Sequence, residues 1–160
     1  MNIIKVGMAD LKVTKSPNGL STLGLGSCVG ICLYDPLTKV AGMAHIMLPD
    51  SKAIRNNKNI AKFADTAIDK MIDDMVRLGA NKNRLVGKIA GGAQMFKFNS
   101  ENDMMKIGQR NAIAVRGILK QIGIPVKADE TGGNYGRTIE FYSDSGKLLI
   151  KTIGHGVKEV

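Results

Sequence analysis

Along the first 48 residues the apolar positions fall in short runs of strand length, "IIKVG", "LKVTK", "STLGL", "CVGICLYD" and "VAGMAHIML", rich in β-branched residues and broken by Gly, Asp and Pro. These predict β-strands. The period then changes. From Asn59 to Leu78 the residues Ile60, Phe63, Ala64, Ala67, Ile68, Met71, Ile72, Met75 and Val76 recur at helical spacing, with Gly79 as the stop, which predicts an amphipathic core helix. "RLVGKIAGG" returns to strand character. A second helical stretch, from about Ile107 to Ile122, gathers Ala114, Val115, Ile118, Leu119 and Ile122 on one side before Gly123 and Pro125 end it. The tail reads as strands again, "PVKADE", "RTIEFYS" and "KLLIKTI", the last two joined through "DSG" as a hairpin. Strands, two helices and strands again predict an α+β fold, a layered α/β sandwich with helices packed on a mostly antiparallel or mixed sheet.

No repeat or long linker divides the 160 residues, so the expectation is one domain over 1–160. A chain of this length buries roughly two thirds of its unfolded surface without metal or disulfide staples. No apolar stretch approaches a membrane span, and "MNIIKVGMADLKV" lacks the apolar core and cleavage site of a secretory signal, which predicts a cytoplasmic protein without membrane insertion. Two cysteines do not make a secreted disulfide framework and are expected as free thiols. The net charge of +9 favours an anionic partner, whether nucleic acid, membrane or acidic protein. Four Phe, three Tyr and no Trp supply few stacking platforms, and no nucleic-acid motif is present, which argues against nucleic acid.

The stretch "LGLGSCVGICLYDPLTKVAGMAH", Leu23 to His45, holds both cysteines and one of the two histidines. If Asp35-Pro36-Leu37-Thr38 is the turn of a hairpin, pairing Asp35 with Thr38 sets Cys28 directly opposite His45, with Cβ atoms about 4.5 to 5.5 Å apart on one face. In the same strand Cys28 and Cys32 lie about 13 Å apart, too far to share a zinc ion or close a disulfide, so no metal is expected and Cys32 reads as core. The "GLGS" before Cys28 permits a tight turn that aims backbone N–H groups, those of Ser27 and Cys28, at a developing oxyanion. His45 would lower the thiol pKa or take its proton. Thr22 is a candidate to orient the imidazole through its hydroxyl, with Asp35, Asp50 and Asn134 as the other candidates. The competing reading is that Cys28 and His45 are ordinary core residues.

"TLGLGSCVGICLYD" followed by "AGMAHIMLP" closely resembles the catalytic segment of the CheD family, the chemoreceptor glutamine deamidases of bacterial and archaeal chemotaxis. "KIAGGAQMF", "IGQRN" and "TGGNYGR" resemble that family's other blocks in the same order, so the resemblance covers nearly the whole chain. It implies hydrolysis of selected glutamine side-chain amides on the cytoplasmic helices of methyl-accepting chemoreceptors. It also implies a layered fold similar to the catalytic domain of cytotoxic necrotizing factor, no metal or organic cofactor, and a Cys–His–Thr triad falling on Cys28, His45 and Thr22. Glutamate methyl-esterase activity would share the acyl intermediate.

The resemblance further implies that Gly91 and Gly92, within "AGGAQMF", lie near the substrate cleft; a plain glycine turn is the other reading. Arg137, in "TGGNYGR", is expected either to touch an acidic receptor surface or to pair with a neighbouring carboxylate. His155 is expected at the surface, and Met104 or Met105 exposed to a partner. The basic excess suits docking on glutamate-rich receptor helices. The alternative function is a regulatory module that binds and stimulates the CheC phosphatase, and a third is a cysteine protease. A monomer is the expected free state.

Overall fold

The computed structural model describes residues 1–95 and 106–160, so the expectations for Phe96, Met104 and Met105 lie outside the described residues. Among the described residues ten strands, β1 (Ile3–Lys5), β2 (Asp10–Lys15), β3 (Gly19–Leu25), β4 (Val29–Asp35), β5 (Val40–Ile46), β6 (Val86–Gly91), β7 (Val126–Thr131), β8 (Arg137–Tyr142), β9 (Leu148–Thr152) and β10 (Gly156–Glu159), accompany two α-helices. The helices are α1 (Ala64–Arg77) and α2 (Ile107–Ile122). The expected α+β layering is present, with the strands shared between two mixed five-stranded sheets. A central sheet runs β2-β5-β4-β6-β7 and an outer sheet runs β1-β3-β8-β9-β10.

The layers follow from which faces are apolar. Every residue of β4 and β5 is buried because the central sheet is covered on both sides. Val29, Ile31, Leu33, Val40, Ala44 and Ile46 pack with α1 and α2, joined by Ile68, Met71, Val115 and Leu119. The alternate positions Cys32, Tyr34, Ala41 and Met43 pack with Leu20, Ile139, Phe141 and Ile150 of the outer sheet. Gly30 marks where the sheets come closest: a Cβ there would lie 2.6 Å from the Ile139 side chain.

Two boundaries differ from the sequence expectation. α1 starts at Ala64 rather than Asn59, because Phe63 is extended and bridges Leu48, while Ile60–Lys62 form a separate 3-10 turn. Ile60 and Val76, at helical spacing, are both exposed. The tail carries a further strand, β10, that pairs with β9 across the turn holding His155. α2 coincides with its expected range and ends at Gly123 in the left-handed conformation.

Candidate active site

β5 carries His45, β3 carries Thr22, and Cys28 sits in the link between β3 and β4. The β4–β5 register places Gly30, not Cys28, opposite His45. The expected two-residue turn is a four-residue loop, Pro36 to Lys39, closed by a bond from the Lys39 amide to the Asp35 carbonyl (2.8 Å), with Lys39 at φ 58°. Asp35 therefore pairs with Val40 and the register moves by two residues. Because side chains alternate faces with a period of two, the shift leaves Cys28 on the face that carries His45, as a diagonal neighbour rather than a direct one.

Thr22 and His45 meet between the sheets. Thr22 Oγ1 lies 2.6 Å from His45 Nδ1 and 2.8 Å from the Val6 carbonyl oxygen, all three groups being buried. A carbonyl only accepts, so the single hydroxyl hydrogen goes to Val6 and the imidazole Nδ1–H donates to Thr22. That assignment leaves Nε2 with its lone pair, and among the described residues Nε2 has no hydrogen-bond partner. Burial pushes the His45 imidazole below its ordinary pKa, so the ring is neutral at pH 7. Burial also pushes the Cys28 thiol up, against an opposing bond from its own backbone amide. The resting pair is thus a neutral thiol and a neutral imidazole.

The loop carrying Cys28 is held by its carbonyls. The Gly26 carbonyl accepts from the Ala93 amide (2.9 Å), the Cys28 carbonyl from the Gly92 amide (2.8 Å), and the Ser27 carbonyl from Asn111 Nδ2 (3.0 Å). Gly91 and Gly92 accordingly press against the backbone of Cys28. Gly91 adopts φ +110°, and a Cβ on it would stand 2.2 Å from the Cys28 carbonyl oxygen. Gly92 also lines a cavity of about 330 Å³ together with Gln94, Gln109, Arg116 and Thr131.

Arg137 is only 4 % exposed. Its guanidinium donates to the Gly91 carbonyl (3.1 Å) and lies over the Tyr135 ring at 4.6 Å, and among the described residues no carboxylate pairs with it. It braces the outer sheet against the glycine turn behind Cys28. Asp35 lies at the far end of β4 bound to Arg84, Asp50 caps a short 3-10 turn, and Asn134 is exposed; none of these touches His45. His155 is exposed and stacks beside Tyr135 at 4.5 Å. Cys32 is fully buried, its thiol raised by desolvation.

The sequence reading passed over Asn111. Its signal was a polar residue on an otherwise small and apolar helix face, with Gly108, Ala112, Val115 and Leu119 as its buried companions.

The family model described as CheD chemotactic sensory transduction matches residues 47–152. A protein of Caldanaerobacter subterraneus named "Probable chemoreceptor glutamine deamidase CheD" is 62% identical over 99% of this chain and 98% of its own length. The "Chemoreceptor glutamine deamidase CheD" of Halalkalibacterium halodurans is 52% identical over 99% of both chains. Among solved structures, the Bacillus licheniformis hypothetical protein YfiH aligns with a TM-score of 0.45 and 16% identity, over 76% of this chain and 50% of that one. No described helix is long and apolar enough to cross a membrane.

Proposed function

The chain belongs to the CheD family, and on that premise we propose that it is a cytoplasmic chemoreceptor glutamine deamidase, with Cys28 as nucleophile, His45 as general base and acid, and Thr22 as the group that orients the ring. The observation that carries this reading is the Thr22–His45 contact at 2.6 Å, together with the Thr22 bond to Val6. Only an Nδ1–H tautomer satisfies both, and that tautomer leaves Nε2 as a base on the face of the sheet that Cys28 shares.

The chemistry starts from neutral partners. As Cys28 Sγ attacks the carboxamide carbon of a receptor glutamine, its proton passes to His45 Nε2 and the C=O electron pair moves to oxygen. The oxyanion meets the backbone N–H groups of Ser27 and Cys28. His45 Nε2–H then protonates the nitrogen, the C–N bond breaks, ammonia leaves, and a γ-glutamyl thioester remains on Cys28. Water attacks the thioester while Nε2 takes its proton. Collapse of the second tetrahedral species breaks the C–S bond, returns the proton to sulfur and releases glutamate. The +9 net charge favours encounter with acidic receptor helices.

The test is peptide mass spectrometry of a receptor cytoplasmic fragment incubated with wild type and with Cys28→Ala. The expected result is a gain of about one dalton at discrete glutamines with wild type alone, because an amide nitrogen is exchanged for oxygen through the acyl intermediate. A fragment that binds and stays unmodified would replace the enzyme by a binding module of the kind that regulates CheC.

A further inference from the structure

We propose that Asn111 is a positioning residue that sets the oxyanion-binding geometry by locking the peptide plane between Ser27 and Cys28. The inference rests on Cys28 being the nucleophile, as proposed above.

Asn111 projects from α2 with no exposed surface, and its Nδ2 donates to two carbonyls, those of Ser27 (3.0 Å) and Met47 (2.9 Å). The first belongs to the residue before the nucleophile, the second lies two residues beyond His45. One amide group thus ties the nucleophile loop and the end of the histidine strand to a single helix. The orientation is chemically determined, since a flipped amide would set Oδ1 against two other acceptors.

A trans peptide is planar, with its C=O and N–H pointing in opposite directions. Holding the Ser27 carbonyl toward α2 therefore turns the Cys28 N–H away from α2. The Ala93 amide, by holding the Gly26 carbonyl, does the same for the Ser27 N–H. Without the Nδ2 bond the Ser27–Cys28 plane is free to rotate and withdraw one of the two donors.

A packing role alone does not account for this side chain. Its Oδ1 is buried with no partner among the described residues, a cost that an apolar residue would avoid only by leaving the Ser27 and Met47 carbonyls without their donor. The helix is pressed close enough to hold the bond rigidly: a Cβ on Gly108, one turn before, would stand 2.3 Å from the Ala93 carbonyl oxygen.

The test compares two reactions of the same sulfur in wild type, Asn111→Ala and Asn111→Leu. Acylation by p-nitrophenyl acetate passes through a tetrahedral oxyanion as the C–S bond forms and p-nitrophenolate leaves. Alkylation by iodoacetamide displaces iodide with no oxyanion. Both are followed by mass spectrometry at Cys28. The expected result for Asn111→Ala is acylation slowed about 10- to 100-fold, in keeping with a weakened oxyanion donor, and alkylation within about threefold of wild type, since displacement of iodide develops no oxyanion and burial, the larger influence on the thiol, is unchanged. Asn111→Leu keeps the volume without a donor and serves if Asn111→Ala does not fold; it should show the same contrast. Unchanged acylation, or equal loss in both reactions, overturns the proposal. Wild type that shows the contrast with its variants but leaves receptor glutamines untouched overturns the deamidase reading and not this one.

Discussion

Thr22 and His45, on strands of different sheets, share a buried contact of 2.6 Å that leaves the hydroxyl donating to Val6 and the imidazole Nε2 unprotonated. Thr22→Val keeps the shape but leaves Nδ1–H without an acceptor, which costs about 1–3 kcal/mol of stability and frees the ring to change tautomer. We expect deamidation of a receptor fragment to fall by about 10²-fold or more, the usual scale for disabling a general base. Thr22→Ser should retain most activity, since it keeps the oxygen. A Thr22→Val enzyme as active as wild type would remove Thr22 from the mechanism.

The neutral pair has a pH signature. With the thiol raised and the imidazole lowered by burial, alkylation of Cys28 should be slow at pH 7 and keep climbing as pH passes the ordinary thiol value near 9. Deamidation should instead fall on the acid side, where His45 becomes protonated, with its midpoint below about 6.5. An alkylation rate that is flat from about pH 5 to 8 would indicate a preformed thiolate–imidazolium pair and contradict the resting state described above.

Arg137 joins the two sheets at the glycine turn behind Cys28 through the Gly91 carbonyl and the Tyr135 ring. Arg137→Met should lower the unfolding free energy by about 1.5–3 kcal/mol for loss of a charged hydrogen bond, read as a lower denaturant midpoint, and reduce turnover by slackening the turn against the Cys28 carbonyl. Arg137→Lys should recover little of either, because an ammonium lacks the planar stacking surface. Full recovery in the lysine variant would show that charge alone is what matters at this site.

Acid sensitivity should centre on Asp35. Burial works to raise this carboxyl, but the Arg84 guanidinium and the amides of Asn81, Leu37 and Thr38 more than offset that and hold it well below the ordinary carboxylate range. Since its folded pKa lies below the unfolded one, the stabilisation is present above the unfolded value near 3.9 and is lost as pH falls through and below it. Asp35→Asn should cost about 2–4 kcal/mol at pH 7, under the fully buried-pair figure because Arg84 is partly exposed, and the difference from wild type should shrink below about pH 4. Urea melts at pH 7 and pH 3 check this; a constant difference between the two would refute it.

Element type was legible where the helical period of apolar residues is long and ends on a glycine stop, as along α2. It failed where a residue obeys the helical period for another reason. Phe63 is apolar because its extended backbone buries it beside Leu48, and nothing in the spacing distinguishes that from a first helical turn. β10 was illegible because all four of its residues are exposed, leaving no alternation to read.

Spacing and residue type alone carried the α+β class with helices packed on a sheet, the free cysteines, and the face on which Cys28 and His45 stand, since face depends only on parity and survives a two-residue change of register. Long-range packing set the division of the strands between two sheets, the loop length behind the register, the approach of Thr22 from another sheet, the backbone bracing by Arg137, and the amide of Asn111 between Ser27 and Met47. These are contacts between residues far apart in the chain, and local periodicity reports only which side of an element is buried, never which distant group waits on that side.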